Sequence, residues 1–522
     1  MTDPKGQNSI SSTYWRCSPS ELADGVASFG FKLSDEELER LTDEAERIIQ
    51  DSFVGLTPAQ RTLEAAPLAE SWPPTEDDDP LNAFIHRCRL RCRANGPLSG
   101  LRIAVKANIA VAGLELSCGS PVLRGFHPTR NATAVDRLLQ AGAEIVAIAN
   151  MDDLGVSGDG TTGCYGAVRN PNAAELCAGG SSAGSAAGLA YDNLDASLGT
   201  DQGGSIRIPA SWCGVLGLKP TYGAIPYTGI VGLDRGVDHV GPLARDVDTL
   251  STVFAAIEGA SGGDSRTRNI GSHSTVRCLE FPNRIALLRE GFELANSDVQ
   301  NAVHSALDDL RRGGITVDEI SIPQHTYASR IATLIGLEGA AATLEAGGNG
   351  YGWVGQYWPE LAEALHNGLR TSGHLLAPHV KLTLALGLHL RRRYGGALYA
   401  RAQEARIRLT DAYDRALSRQ IPIVMPSTPF PAQPVATTKN IAEQLRRGWS
   451  SSANTHAANL TGHPALSLPV AHVQGLPIGL MVVGREGDEW RLLDLARHIE
   501  RNHGWREPKP LRFEGQRSEA DS

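Results

Sequence analysis

Residues 101–150 read LRIAVKANIAVAGLELSCGSPVLRGFHPTRNATAVDRLLQAGAEIVAIAN, and this stretch decides the fold class. LRIAVK (101–106) and EIVAIAN (144–150) are short runs rich in β-branched residues, the composition of strands. Between them, NATAVDRLLQAGA (131–143) repeats its apolar residues at helical spacing and ends near a glycine. Strand, helix, strand is the repeating unit of α/β architecture.

Towards the C-terminus the pattern continues. Residues 381–420 read as helices, IPIVMPSTP (421–429) as a strand, ALSLPVAHVQGLPIGLMVVG (465–484) as a hairpin and DEWRLLDLARHIERN (488–502) as a helix. SIRIPASWCGVLGLKPTYG (205–223) lacks periodicity, is dense in Gly and Pro, and is expected to thread the interior. Towards the N-terminus, PLAESWPPTEDDDP (67–80) breaks any helix and reads as a linker. Ahead of it, Ser34 and Glu37 form a capping box, followed by Leu38, Leu41, Ala45, Ile48 and Ile49 at helical spacing. The expected layout is a helical module over 1–70, a linker over 67–80, a catalytic domain over 81–507 and a flexible tail over 508–522. The apolar stripe of the module needs a partner, either the main domain or a second copy of the chain.

Bulk properties remove several function classes. The 522 residues have room for up to three domains, and 41% hydrophobic with 20% charged residues is ordinary globular composition. A formal net charge of −9 argues against nucleic acid or an anionic membrane as partner. No apolar stretch approaches the roughly 20 residues of a membrane span. The opening MTDPKGQNSI lacks the order of a signal peptide. The eight cysteines are scattered, without CxxC, and Cys88 and Cys92 fit one helix face better than a metal site. Reduced thiols in a cytoplasmic protein are expected. Neither HExxH nor clustered ligands point to a metal, and no cofactor is expected.

Two serine clusters carry the chemistry: CAGGSSAGSAAG (177–188) and LGTDQGGSIRIPAS (198–211). One reading takes Gly180-Ser181-Ser182-Ala183-Gly184 as GxSxG, with Ser182 the nucleophile of an α/β-hydrolase. The preceding NPNAAELCA is a poor strand, and no HGGG-type loop lies upstream. The other reading starts from Lys106, which closes the apolar run RIAVK. A lone lysine there would normally snorkel to the surface. If desolvated instead, its pKa falls and the neutral amine becomes a general base that needs no histidine.

The segments GGSS, GTDQGGSIRIPA and CGVLGLKPTYG resemble the signature of the amidase signature family of serine hydrolases. VDHVGPLARDV (237–247), VMPSTPFPAQP (424–434) and TGHPALSLPVAHVQGLPIGLMVVG (461–484) extend the likeness over roughly 85–505. The resemblance implies a mixed, twisted central β-sheet covered by helices. It implies Ser205 as nucleophile, with Lys106 and Ser181 as proton relay and a cis peptide bond at Gly180–Ser181. The backbone of Gln202, Gly203, Gly204 and Ser205 would form the oxyanion hole. Two positions depart from the family: Ala107, where Asp is frequent, and Ala183, where Gly is frequent. The first leaves open how Lys106 is positioned. Asp201 and Arg207 are expected as a structural charge pair, and His239 and His456 as structural or pocket-lining residues.

Within the family the chain resembles the broad-specificity bacterial amidases often associated with nitrile metabolism, which share a helical N-terminal extension and a region like GYGWVGQYWPELAEALHNG (350–368). That implies primary or aryl amides as substrates and a homodimer. The pocket is expected from 151–165 and 330–380, with Tyr351, Trp353, Tyr357 and Trp358 as candidate aromatic walls, though core packing explains any single one. Alternatives are anilide, hydrazide, carbamate, urea or ester cleavage, a glutamine-dependent amidotransferase component, or a non-catalytic scaffold.

Overall fold

The structure is a computed structural model and describes residues 18–27, 29–53, 70–93, 95–267, 283–435 and 440–502. The expected tail over 508–522, Cys17 and Cys278 lie outside the described residues. The chain divides into two units, Met1–Glu64 and Ala65–Ser522.

The first unit contains helices Pro19–Ala27 and Asp35–Phe53. The second is entered through the expected capping box: Ser34 N–H donates to Glu37 Oε2 at 2.8 Å, and Glu37 N–H donates to Ser34 Oγ at 3.3 Å. Leu41 and Ile48, from the apolar stripe, are exposed.

In the second unit the strands are β1 (Glu70–Trp72), β2 (Phe84–Arg91), β3 (Arg102–Lys106), β4 (Glu144–Ala149), β5 (Arg169–Asn170), β6 (Ala173–Cys177) and β7 (Ala196–Asp201). They continue as β8 (Leu216–Lys219), β9 (His239–Ala244), β10 (Arg284–Leu288), β11 (Thr316–Ile320), β12 (Ile423–Pro426), β13 (Ala465–Val473) and β14 (Leu476–Val483). Twelve form one sheet, ordered β1-β2-β4-β3-β7-β9-β8-β13-β14-β12-β10-β11, while β5 and β6 pair separately. Pairing is parallel along β4-β3-β7 and along β12-β10-β11, and antiparallel elsewhere in the sheet. The fold is therefore α/β with a mixed central sheet flanked by helices.

Alternate residues of one strand enter different cores, which shows that both faces are covered. Ile103 and Val105 of β3 join the larger apolar cluster, whereas Ala104 joins a second one. Ile145 and Ile148 of β4 divide in the same way from Ala147 and Ala149. A strand buried on both sides needs no polar alternation, so these segments read as continuous apolar runs.

Two local expectations change, and a third gains detail. Glu70–Trp72, inside the stretch read as linker, is an edge strand paired antiparallel with β2. Cys88 lies on β2, with Cys92 exposed just beyond it, so the two share no helix face. A spacing of four fits a strand as well as a helix, and pairing of β2 with both β1 and β4 decides between them. The segment 205–223 contains helix Arg207–Cys213 and strand β8, every residue of both buried. A helix buried on all sides has no polar face, so its period is invisible in sequence.

Candidate active site

The parallel neighbours β3 and β7 deliver the central groups. Lys106, the last residue of β3, is fully buried. Its Nζ donates to Ser181 Oγ at 2.8 Å and to Thr200 Oγ1 on β7 at 2.8 Å. Asn108 Nδ2 holds the same threonine hydroxyl at 3.2 Å and Val231 O at 2.8 Å. These hydroxyls position the lysine without an acidic neighbour in sequence. Ala107 serves through its backbone, donating to Ala149 O at 3.1 Å. Burial dominates the lysine's electrostatics and pulls its pKa down to about 7, against the opposing pull of Asp152 and Asp201. A half-neutral amine at pH 7 can accept a proton from the serine hydroxyl it touches.

Ser181 follows a cis peptide bond from Gly180. A Cβ on Gly180 would stand 2.0 Å from Asp152 Oδ2, so only glycine fits between this backbone and the aspartate. Asp152 organises the facing loop: its carboxylate accepts from Gly160 N–H at 3.0 Å, Thr162 N–H at 2.9 Å and Thr162 Oγ1 at 2.8 Å. Burial, reinforced by Asp159, pushes its pKa up to about 6.

Ser182, the nucleophile of the GxSxG reading, is tied down. Its Oγ donates to Thr200 O at 3.0 Å and accepts from Thr200 N–H at 3.2 Å. It occupies the N-cap position of helix Ala183–Ala187, but the side chain does not cap the helix, because strand β7 has claimed it. A hydroxyl engaged in both directions by backbone is a structural splice.

Ser205 lies on a turn between β7 and helix Arg207–Cys213 and lines a cavity of about 210 Å3. Its Oγ has no hydrogen-bond partner among the described residues, so the link from Ser181 to Ser205 is not formed as a hydrogen bond here. The two segments are nonetheless joined next to Ser181, where Ser182 N–H donates to Ser205 O at 3.1 Å. Asp201 shapes the turn by accepting Gly204 N–H at 2.7 Å and Ile206 N–H at 3.1 Å. Gly204 thus spends its N–H inside the turn, while Gln202, Gly203 and Ser205 line the cavity. At φ +138° and with Thr455 Oγ1 2.2 Å from a would-be Cβ, position 204 admits glycine alone.

The expected charge pair is present and deeply embedded. Both side chains of Asp201 and Arg207 have zero exposure, with a 3.0 Å contact. Arg207 also donates to Asn459 Oδ1 at 2.6 Å and Thr455 O at 2.8 Å. Burial alone would raise the Asp201 pKa, but the Arg207 charge and hydrogen bonds hold it well below the usual carboxylate range. His239 is buried, with Nδ1 against Val237 O at 2.7 Å. His456 lines the cavity beside Gly203, its Nδ1 3.2 Å from Ser329 Oγ, and burial lowers its pKa to about 4.

The pocket walls were partly legible. Val156 and Ser157 come from the first expected segment, and Ile335 and Leu337 from the second. None of the four expected aromatic walls faces this cavity. Tyr351 is 91% exposed, Trp353 stacks under Arg235 at 4.1 Å, Tyr357 is exposed, and Trp358 packs on Phe126. Trp449 is the aromatic that lines it, from helix Ile441–Ser450 in a part of the chain outside both expected segments. Thr200, Asn108 and Asp152 were also missed. Their signal was a polar residue in or shortly after an apolar strand run: Thr200 inside β7, Asn108 two residues past β3 and Asp152 three residues past β4.

The family model described as Amidase matches residues 85–493. An enantioselective amidase from Rhodococcus rhodochrous is 36% identical, over 88% of this chain and 91% of that protein. A glutamyl-tRNA(Gln) amidotransferase component from Methanosarcina mazei is 35% identical, over 80% of this chain and 87% of that protein. The structure of native peptide amidase from Stenotrophomonas maltophilia superposes with a TM-score of 0.61 at 26% identity, over 80% of this chain and 85% of that one. Among the described residues, no helix is long and apolar enough to cross a membrane. With most of its length matched by the family model and by these relatives, the chain belongs to the amidase family and is an amide hydrolase.

Proposed function

We propose that the chain hydrolyses primary or aryl carboxylic amides through an acyl-enzyme on Ser205. The observation that carries this reading is the fully buried Lys106, with a pKa near 7, hydrogen-bonded to Ser181 beside the Ser205 turn. Lys106 Nζ takes the Ser181 proton while Ser181 Oγ takes the Ser205 proton, and Ser205 Oγ bonds to the substrate carbonyl carbon. The oxygen becomes an anion, held by N–H groups of Gln202, Gly203 and Ser205. Each such donor is worth about 3–4 kcal/mol in the transition state. Gly204, already bound to Asp201, supports the turn and is not a donor. The tetrahedral carbon then releases the amine, which receives the proton back through the relay. Water repeats the sequence to free the carboxylate. A cytoplasmic homodimer joined through the N-terminal helices belongs to the same proposal, motivated by the apolar stripe Leu38, Leu41, Ala45, Ile48 and Ile49, which needs a partner.

A second reading, a glutaminase that delivers ammonia within a larger complex, is favoured by similarity to the Methanosarcina amidotransferase. The cavity speaks against it. Glutamine presents a carboxylate and an ammonium, and the ionisable residues lining the cavity are Asp234 and His456. Asp234 is occupied by Tyr399 Oη at 2.9 Å and Gly236 N–H at 2.7 Å, and His456 is neutral at pH 7.

The test measures ammonia or amine release by the purified chain from aliphatic and aryl amides, an anilide, a hydrazide, a carbamate, a urea, an ester and glutamine. Ser205→Ala is expected to lower kcat/KM on the preferred amide by about 10⁴-fold or more and to abolish labelling by a fluorophosphonate. Ser182→Ala is expected to label, although stability falls by about 1–3 kcal/mol as the buried Thr200 N–H loses its partner and Thr200 O keeps only Lys106 Nζ at 3.4 Å. Labelling that survives Ser205→Ala and disappears in Ser182→Ala would replace the relay with the GxSxG reading.

A further inference from the structure

Helix Ala328–Glu345 forms one wall of the cavity, and Gly336 lies in its interior. Glycine is the poorest helix former after proline, so a mid-helix glycine calls for a reason. Crowding supplies one three residues later: a Cβ at Gly339 would stand 2.0 Å from Asp234 Oδ2. Gly336 differs. A Cβ built there meets nothing within 4 Å, and the residue lines the cavity. Open space beside a residue that lines the cavity is room a side chain at 336 would take from it. Ala332 and Ala340, one turn to either side, line the same wall and keep it shallow.

The rest of the chamber indicates what fills that space. Its walls include Val156, Ile208, Leu233, Ile335 and Trp449. Its two ionisable residues offer no cation to an acidic substrate: Asp234 is a carboxyl group hydrogen-bonded at both oxygens, and His456 is neutral. An engineered cavity of about 150 Å3 holds a benzene molecule. The volume here, about 210 Å3, suits a ring with a short branch.

Resting on the amide-hydrolase reading above, we propose that Gly336 sets the size limit of the acyl pocket: a bulky acyl group is admitted because position 336 carries no side chain. A side chain at position 336 would occupy the room of the acyl group while leaving Lys106, Ser181 and Ser205 untouched.

The experiment compares wild type, Gly336→Ala and Gly336→Leu on acetamide and 2-phenylpropionamide, with thermal melting of each protein. Wild type is expected to accept the aryl amide. Gly336→Leu is expected to lose on the order of a hundredfold in kcat/KM for 2-phenylpropionamide, the scale on which apolar pockets discriminate size. Acetamide turnover is expected to fall by far less than that of 2-phenylpropionamide, and the melting temperature to hold or rise, because the helix gains a better former. Gly336→Ala, which folds with the smallest change, is expected to fall between. Equal loss on both amides, or no loss on the bulky one, overturns the proposal. Wild type that turns over acetamide but not 2-phenylpropionamide overturns it while leaving the amidase reading intact. If neither amide is hydrolysed, the amidase reading is in question, and calorimetry with 2-phenylpropionamide on Ser205→Ala decides the pocket separately. Binding that Gly336→Leu removes supports the size limit; no binding, or unchanged binding, overturns it.

Discussion

Lys106→Met is expected to give a folded protein with kcat/KM lower by about three to four orders of magnitude, the scale of a lost general base. The same variant is expected to be more stable than wild type at pH 6. Both effects follow from one fact: the lysine is buried without a carboxylate in contact, held by the hydroxyls of Ser181 and Thr200. Its pKa is about 7 when folded and 10.5 when unfolded. Between these values the unfolded chain binds one more proton than the native one, so wild-type stability rises with pH there. Below pH 7 both states are protonated and the burial cost is fully present. Methionine has no such term. Its advantage in urea unfolding is therefore expected to be largest at pH 6 and smaller by about 3 kcal/mol at pH 9. Wild-type kcat/KM is expected to rise through an apparent pKa near 7, since the protonated amine is no base. An advantage that stayed constant from pH 6 to pH 9 would show that Lys106 does not titrate in this window.

Arg207→Ala is expected to cost about 3–5 kcal/mol, because it leaves the Asp201 carboxylate, whose side chain has zero exposure, without its charge partner. The loss reaches the turn as well. Asp201 holds the N–H groups of Gly204 and Ile206 on either side of Ser205. Residual folded protein is therefore expected to show lower kcat as well as a lower urea midpoint. Arg207→Lys is not expected to rescue either property. One ammonium cannot reproduce a fork that meets Asp201, Asn459 and Thr455 together. A change below about 1 kcal/mol would mean that water or a neighbouring cation replaces Arg207, contrary to the packing described.

The parts of this molecule that sequence made legible are those whose signal is local. Strands β3, β4, β13 and β14 lie within the segments expected from their apolar runs, and the capping box at Ser34 forms as its spacing requires. The positions of Lys106, Ser181 and Ser205 came from motifs with characteristic residues. What surrounds them was hidden because it is made by distant chain. Lys106 meets Thr200 across 94 residues, and Arg207 meets Asn459 across 252. No periodicity encodes such contacts. The aromatic wall illustrates the limit: Tyr351 and Trp449 are equally plausible in a string of letters, yet only the second lines the cavity. Gly204 is instructive in another way. The motif places it among anion-binding amides, and only coordinates reveal that Asp201 has already taken its donor.

The three-residue strand β1 has a consequence for handling the protein. It covers the outer edge of β2 with exposed side chains, and Pro73 and Pro74 follow it at once. At the opposite edge, β11 carries Asp318 and Glu319. Short, charged or proline-flanked borders discourage a second molecule from adding its own strand. A truncation that trims back to residue 81 would strip that guard from β2 and invite aggregation. A shortened version is safer beginning near Ala65, where the second compact unit starts.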